Sequence, residues 1–299
     1  MILFKPVGRI EFAMLVLYFA IGASAQAQIS KTASFYKDVA YDHVDASQKL
    51  DVYLAKSETP TAAMIYIHGG GWIGGSKNSV PSWLTNEVSQ GWLSVISVEY
   101  RFTNIAIHPA QVNDCLRAIQ TVRQNAASWN IDPTRIGVTG GSAGGHLSLW
   151  VALHDDIANE KANDLTSHQS SRVACAVSFA GPTDWSLLQT MEHTHPAYRQ
   201  LLGYKPGTPS NEIDAKSMGD VSPITFASRD DPPIMQVHGD KDDIVPIEHA
   251  RRLNDRLKEL DVKSELVVVN GGNHSVAGAA PTVSENPIRF IKEILLPSR

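Results

Sequence analysis

The sequence predicts an α/β fold built on a mostly parallel sheet, and three observations carry that expectation. Short β-rich runs alternate with longer stretches of helical period, the pattern of repeated βαβ units. The run "AAMIYIH" (Ala62–His68) reads as a strongly buried strand. The stretch "AGGHLSLWVAL" is apolar on nearly every side, which places a helix in the centre of a protein rather than on its surface. A chain of 299 residues that is 43% hydrophobic and 19% charged is sufficient for one large core.

The elements follow in order. Lys5 and Arg9 precede the apolar run Phe12–Ala23, and small-x-small sites follow at Ala23-Ser24-Ala25 and Ala25-Gln26-Ala27. This is the layout of a secretory signal peptide over residues 1–25. The run is short for a membrane span of about 20 residues. The mature chain, residues 26–299, is therefore expected to be secreted or periplasmic and free of the membrane. Losing Lys5, Arg9 and Glu11 takes the formal net charge from −5 to −6. With that charge and no long basic run, nucleic acid and anionic membrane surfaces are poor partners.

Strands are expected near Ser34–Tyr41, Leu50–Ala55, Ala62–His68 and Leu93–Tyr100. Between the last two, Val80, Trp83, Leu84 and Val88 fall on one helical face. A long helix follows, opened by Pro109 near its first turn. "RIGVTG" is a strand ending at Gly140, and the buried helix comes directly after it. Further strands are "VACAVSFAG", "PPIMQVHG" and "SELVVVN". The stripe Ile247, Ala250, Leu253, Leu257 and Leu260 marks a helix, and "PIRFIKEILL" closes the chain as another. Between Pro182 and Asp231 the periodicity weakens and Pro, Gly, Ser and Thr accumulate. A long segment of that kind inside a compact domain is expected to be a functional insertion, a lid over about 183–230. Cys115 and Cys175 lie among apolar neighbours in a helix and a strand and are expected to be buried free thiols.

"VTGGSAGGH" places Ser142 in a G-x-S-x-G pattern between a strand and a buried helix. A sharp turn there lifts the hydroxyl above the sheet, and close strand–helix approach requires positions 140 and 144 to be almost without side chains. The helix N-terminus favours the negative charge that develops on an attacking serine. Ser142 is the expected nucleophile.

After the buried strand, five of the seven residues 69–75 are glycine. Attack on an acyl carbon puts negative charge on the carbonyl oxygen, and each preorganised N–H aimed at it lowers the barrier by roughly 3–4 kcal/mol. Bare backbone at Gly69, Gly70 and Gly71 supplies such donors, and Ala143 after the nucleophile supplies another. Gly70, Gly71 and Ala143 are the expected oxyanion hole. His68, ending the strand, is expected to anchor the loop by hydrogen bonding.

The stretches "IHGGGWIGGSK", "VEYRF", "DPTRIGVTGGSAGGHLS", "SPITFASRDDPPIMQVHGDKDDIVP" and "GGNHS" together resemble the α/β-hydrolase superfamily, in particular its secreted carboxylesterase group with feruloyl- and acetyl-xylan-esterase-like members. The match runs from about Leu50 to the C-terminus. The resemblance implies a serine esterase with an eight-stranded sheet flanked by helices and no cofactor.

The superfamily orders its triad Ser…Asp/Glu…His. "HGDKDDIVP" offers Asp240, Asp242 and Asp243; the family pattern H-G-x-x-D-x-x-V-P maps the acid onto Asp242. Asp240 suits a turn-capping role and Asp243 a solvated one. His274, in a Gly-rich loop after the last strand, is the expected base. His249 is expected to face solvent from an amphipathic helix, His238 to be structural at a strand end, and His146 to be a satisfied core residue. A histidine acts as base only when neutral, so activity is expected to fall below about pH 6–7.

Glu192, His193 and His195 in "EHTHP" lack a fourth partner, so no metal is expected. Trp72, Trp185 and Tyr198 are expected to line the substrate pocket. The expected partner is an ester substrate, either a small molecule or an acylated polysaccharide. Three alternatives compete: an arylformamidase-like amide hydrolase, a prolyl-oligopeptidase-like peptidase, and a non-catalytic binding protein on a hydrolase fold.

Overall fold

The computed structural model describes residues 33–190, 195–276 and 281–296. The expected signal segment and most of "EHTHP" lie outside the described residues.

Eight strands form one sheet: β1 (Ala33–Ala40), β2 (Lys49–Ala55), β3 (Thr61–Ile67), β4 (Leu93–Val98), β5 (Ile131–Gly141), β6 (Cys175–Phe179), β7 (Ile234–Gly239) and β8 (Ser264–Val269). Their spatial order is β1-β2-β4-β3-β5-β6-β7-β8. The pairings of β2 with β1 and with β4 are antiparallel, and every pairing from β4 onward to β8 is parallel.

The helices are α1 (Ser82–Ser89), α2 (Ala110–Gln124), α3 (Ala143–Leu153), α4 (Ala197–Leu201), α5 (Ala215–Val221), α6 (Glu248–Glu259) and α7 (Pro281–Leu295). Strand side chains alternate between the two faces, and so do the two cores. Ala63, Ile65, Ile67, Ile96 and Val98 pack with the apolar faces of α2, α3 and α6. Ala62, Met64, Leu93 and Val95 pack with Leu84 and Val88 of α1 and with Phe290, Ile291 and Leu295 of α7. All residues of α3 are buried, as its unbroken apolarity requires.

Three boundaries differ from expectation. Val80 precedes α1 rather than lying on it. Strand β5 starts at Ile131, which pairs with Thr61 ahead of an irregularity in the register. Helix α7 begins at Pro281, so Pro287 lies inside it, where the missing N–H costs one backbone bond. The segment 183–230 is a packed insertion of short helices: α4, α5 and three turns of 3₁₀-helix at Trp185–Gln189, Ser210–Glu212 and Pro223–Phe226. Trp185, Leu188, Tyr198, Leu201, Met218 and Val221 sink from it into the core beside α3.

From β3 the chain passes to β4 on one side and then to β5 on the other. At that reversal the carboxyl ends of β3 and β5 open a crevice, where parallel α/β sheets place their ligands. The glycine loop leaves β3 there, and Ser142 leaves β5. No helix among the described residues is long and apolar enough to cross a membrane.

Candidate active site

Ser142 sits between β5 and α3 with φ 55° and ψ −121°, a backbone state that non-glycine residues rarely adopt. Close packing holds it there. A Cβ on Gly140 would lie 2.4 Å from the Ile67 carbonyl oxygen, and one on Gly144 would lie 2.0 Å from the same atom. The Ser142 N–H donates to the Phe179 carbonyl at 2.8 Å, and the His146 N–H donates to the Ser142 carbonyl at 2.9 Å. The turn therefore cannot relax into a regular strand or helix.

His274 reaches this serine from the loop after β8. Its Nε2 is 2.9 Å from Ser142 Oγ, and its Nδ1 is 2.8 Å from Asp242 Oδ2. Asp242 is buried in the loop after β7. Its Oδ1 accepts from the N–H groups of Ile244 and Val245 at 3.0 and 2.9 Å. Burial raises the Asp242 pKa, but hydrogen bonds from His238 and His274 outweigh it and hold the carboxyl well below the usual range. Backbone bonds lock the two loops together: Asp240 N–H to Val269 O at 3.2 Å and Lys241 N–H to Gly272 O at 2.9 Å. Asp240 takes the capping role expected of it, accepting from the Gly271 N–H at 2.6 Å, and Asp243 is exposed. Gly239 is obligatory at this junction, since a Cβ would lie 2.2 Å from the Gly272 carbonyl oxygen.

The glycine loop passes directly over the elbow. A Cβ on Gly69 would lie 2.7 Å from the Gly141 carbonyl oxygen and 3.4 Å from Ser142 Cβ. Gly70 and Gly71 have φ 118° and 61°, a region open to glycine at little cost. The Gly70 carbonyl accepts from Ile73 and Gly74. Among the described residues the N–H groups of Gly70, Gly71 and Ala143 have no hydrogen-bond acceptor. His68 anchors the loop as expected, with Nδ1 2.8 Å from the Gly69 carbonyl oxygen and Nε2 2.8 Å from Glu99 Oε1.

Two expectations need correction. Trp72 and Trp185 are buried, 2% and 0% exposed, so neither ring lines an open pocket. They pack with each other, Tyr198 and His146, with ring centroids 4.9–6.1 Å apart, and the group forms a wall behind the glycine loop. His249 is fully buried rather than solvent-facing, because the insertion covers the first turn of α6. Its Nδ1 accepts from the N–H groups of Thr183 and Asp184, and its Nε2 lies 3.3 Å from the Tyr198 hydroxyl.

His146 is the satisfied core residue expected: Nδ1 accepts from the Trp72 indole at 3.2 Å, and Nε2 donates to the Val221 carbonyl at 2.8 Å. Burial pushes the pKa of both His146 and His249 down to about 3. Cys115 and Cys175 are buried and unbridged, and burial pushes the Cys175 thiol up to about 12. No cluster of potential metal ligands occurs among the described residues.

Three contacts near the site escaped sequence reading. His238 stands behind the acid, its Nε2 donating to the Val245 carbonyl at 2.7 Å and lying 3.3 Å from Asp242 Oδ2; its place four residues before Asp242 was the available signal. His195 reaches from the insertion to within 3.9 Å of where a Gly71 Cβ would sit. Glu99 binds His68 from the end of β4. Nothing local in the sequence marks either of these two contacts.

The sheet, with its strand–turn–helix elbow at the switch point, defines an α/β-hydrolase. The chain belongs to the BD-FAE family, whose model matches residues 50–257. It is 31% identical over 227 residues to the probable carboxylic ester hydrolase LipM of Mycobacterium tuberculosis, covering 75% of this chain and 52% of that one. It is 29% identical to the esterase LipC of the same organism, over 72% of this chain and 53% of that one. The chain thus spans about half the length of these curated relatives.

A solved structure described as a truncated carbohydrate esterase from gut microbiota superposes with TM-score 0.77 at 28% identity, covering 89% of this chain and 98% of that one. The acetyl ester-xyloside bifunctional hydrolase of Caldicellulosiruptor lactoaceticus superposes with TM-score 0.70 at 28% identity, covering 82% and 88%.

Proposed function

We propose that this protein is an exported serine carboxylesterase that hydrolyses short-chain esters, acetyl esters of plant polysaccharide first among them. The observation that carries the reading is the continuous hydrogen-bonded relay from Ser142 Oγ through His274 to Asp242, at 2.9 and 2.8 Å. In this mechanism His274 takes the Ser142 proton as Oγ attacks the acyl carbon. Asp242 fixes the imidazole tautomer and stabilises the imidazolium. The free N–H groups of Gly70, Gly71 and Ala143 receive the oxyanion. His274 then returns the proton to the departing alcohol, and water repeats the sequence on the acyl-enzyme.

Similarity to proteins described as a carbohydrate esterase and an acetyl ester-xyloside hydrolase supports a sugar-borne ester. A basic n-region, apolar run and small-residue cleavage sites within residues 1–27 support export.

The test is turnover of p-nitrophenyl acetate, butyrate and octanoate by the mature chain and by Ser142→Ala, followed by acetate and ferulate release from acylated xylan. Acetate turnover lost in Ser142→Ala, with acetate released from xylan, is the expected outcome. Octanoate preference, or ferulate release faster than acetate release, would overturn the small-acyl reading. Activity surviving in Ser142→Ala would overturn the mechanism.

A further inference from the structure

The glycine loop leaves the sheet at His68 and re-enters packed structure at Lys77, and one carboxylate holds both points. Glu99 Oε1 is 2.8 Å from His68 Nε2, and Glu99 Oε2 accepts from the Lys77 N–H at 3.1 Å. The His68 ring is thus held between Glu99 on one side and the Gly69 carbonyl oxygen, 2.8 Å from Nδ1, on the other. The ring also stacks on Tyr100 with centroids 4.5 Å apart, and the Tyr100 hydroxyl donates to the His68 carbonyl at 3.0 Å.

The far end of the loop is equally fixed. The Lys77 carbonyl accepts from Ser97 Oγ at 2.6 Å, and Lys77 Nζ lies 2.8 Å from both Asp51 and Asp38. The returning loop presses on the same ring, since a Cβ on Gly75 would lie 2.2 Å from His68 Nδ1. Glu99 itself is held through its backbone, its carbonyl accepting from the Tyr41 hydroxyl at 2.7 Å.

We propose that Glu99 is a positioning residue for the oxyanion-binding loop: its carboxylate joins the two ends of residues 68–77 and so fixes where the Gly70 and Gly71 N–H groups point. The proposal rests on the serine-esterase reading above. Only a carboxylate accepts from both donors at once. A Gln amide in its place accepts through one oxygen and turns an NH₂ toward the remaining donor. Glu99 touches neither the nucleophile nor the relay, so its effect falls on interactions made in the transition state, where misplacing a group by about 1 Å costs on the order of 100-fold.

The experiment compares wild type, Glu99→Gln, His68→Gln and the double variant, each with its active sites counted by fluorophosphonate labelling of Ser142. The proposal predicts that kcat per labelled site falls roughly 10- to 100-fold in each single variant, with KM little changed. The double variant falls no further than the worse single, because both substitutions break one contact. Affinity for a trifluoromethyl ketone, which binds through the oxyanion hole, falls by the same factor as kcat/KM.

A lower labelled fraction with wild-type kcat per site would overturn the proposal, since Glu99 would then only support folding. Additive losses in the double variant would overturn it as well. If wild type is not labelled or turns over no ester, the serine-esterase reading fails instead, and the two failures are distinct.

Discussion

Asp242 has little capacity to spare: Oδ1 takes two backbone N–H groups, while Oδ2 faces both His274 and His238. An Asn at this position must turn its NH₂ either toward the two backbone donors or toward the two imidazoles, and each choice leaves donors opposed. Asp242→Asn is therefore expected to lower kcat about 10³- to 10⁴-fold with the fold intact, the loss typical of a triad that loses its orienting carboxylate. Steady-state turnover of p-nitrophenyl acetate measures it. A loss below tenfold would mean that a different carboxylate orients His274.

At the scale of the elements, the elbow between β5 and α3 is built from absent side chains. Gly144→Ala places a Cβ 2.0 Å from the Ile67 carbonyl oxygen and 2.7 Å from that of His68, and the backbone at the end of central strand β3 cannot yield cheaply. The expected cost is roughly 2–3 kcal/mol, together with loss of turnover as Ser142 shifts. Gly219 in α5 has no atom within 4 Å of a built Cβ, so Gly219→Ala gains helix propensity worth up to about 1 kcal/mol. Thermal melts of the two variants should move in opposite directions, and a Gly144→Ala melting point at or above wild type would contradict the account.

Such glycines were legible because their reason is local, a strand and a helix joined at one turn. The strands were legible because β-branched runs such as Met64–Ile67 are bounded by glycine or polar residues. Ser142 and His274 were legible because each follows a strand end, whereas three aspartates follow β7 and the family pattern alone singled out Asp242. The insertion was legible in its extent but not in how it packs, because its helices α4 and α5 are too short to repeat a 3.6-residue period. That gap explains both corrections. The burial of His249 and Trp185 depends on the insertion folding down beside α3, and the apolar stripe of α6 carries no sign of what covers its first turn.

For the whole molecule, the buried histidines set a lower pH limit on stability. His146 and His249 are neutral inside the protein, each accepting N–H groups at Nδ1, and burial pushes both pKa values down to about 3 from a reference near 6.5. Between about pH 6.5 and 3 the unfolded chain therefore binds protons that the native state refuses, and stability falls as the pH falls. Each histidine contributes about 1.4 kcal/mol per pH unit in that window. Asp231 opposes them, since burial raises its carboxyl to about 6 and the native state then binds a proton that the unfolded chain still lacks down to about pH 4. Two groups against one leaves a net loss of about 1.4 kcal/mol per unit from about pH 6 to 4.5, and His108 and His195, whose pKa values burial also lowers, add to it. The melting temperature, followed by circular dichroism, should decline steadily across that range, and a flat or rising curve would contradict the argument. Because His146 also holds the Trp72 indole beneath the glycine loop, its protonation undoes the core and the oxyanion-side wall together. Near-UV circular dichroism should therefore be lost together with the core as the pH falls toward about 3.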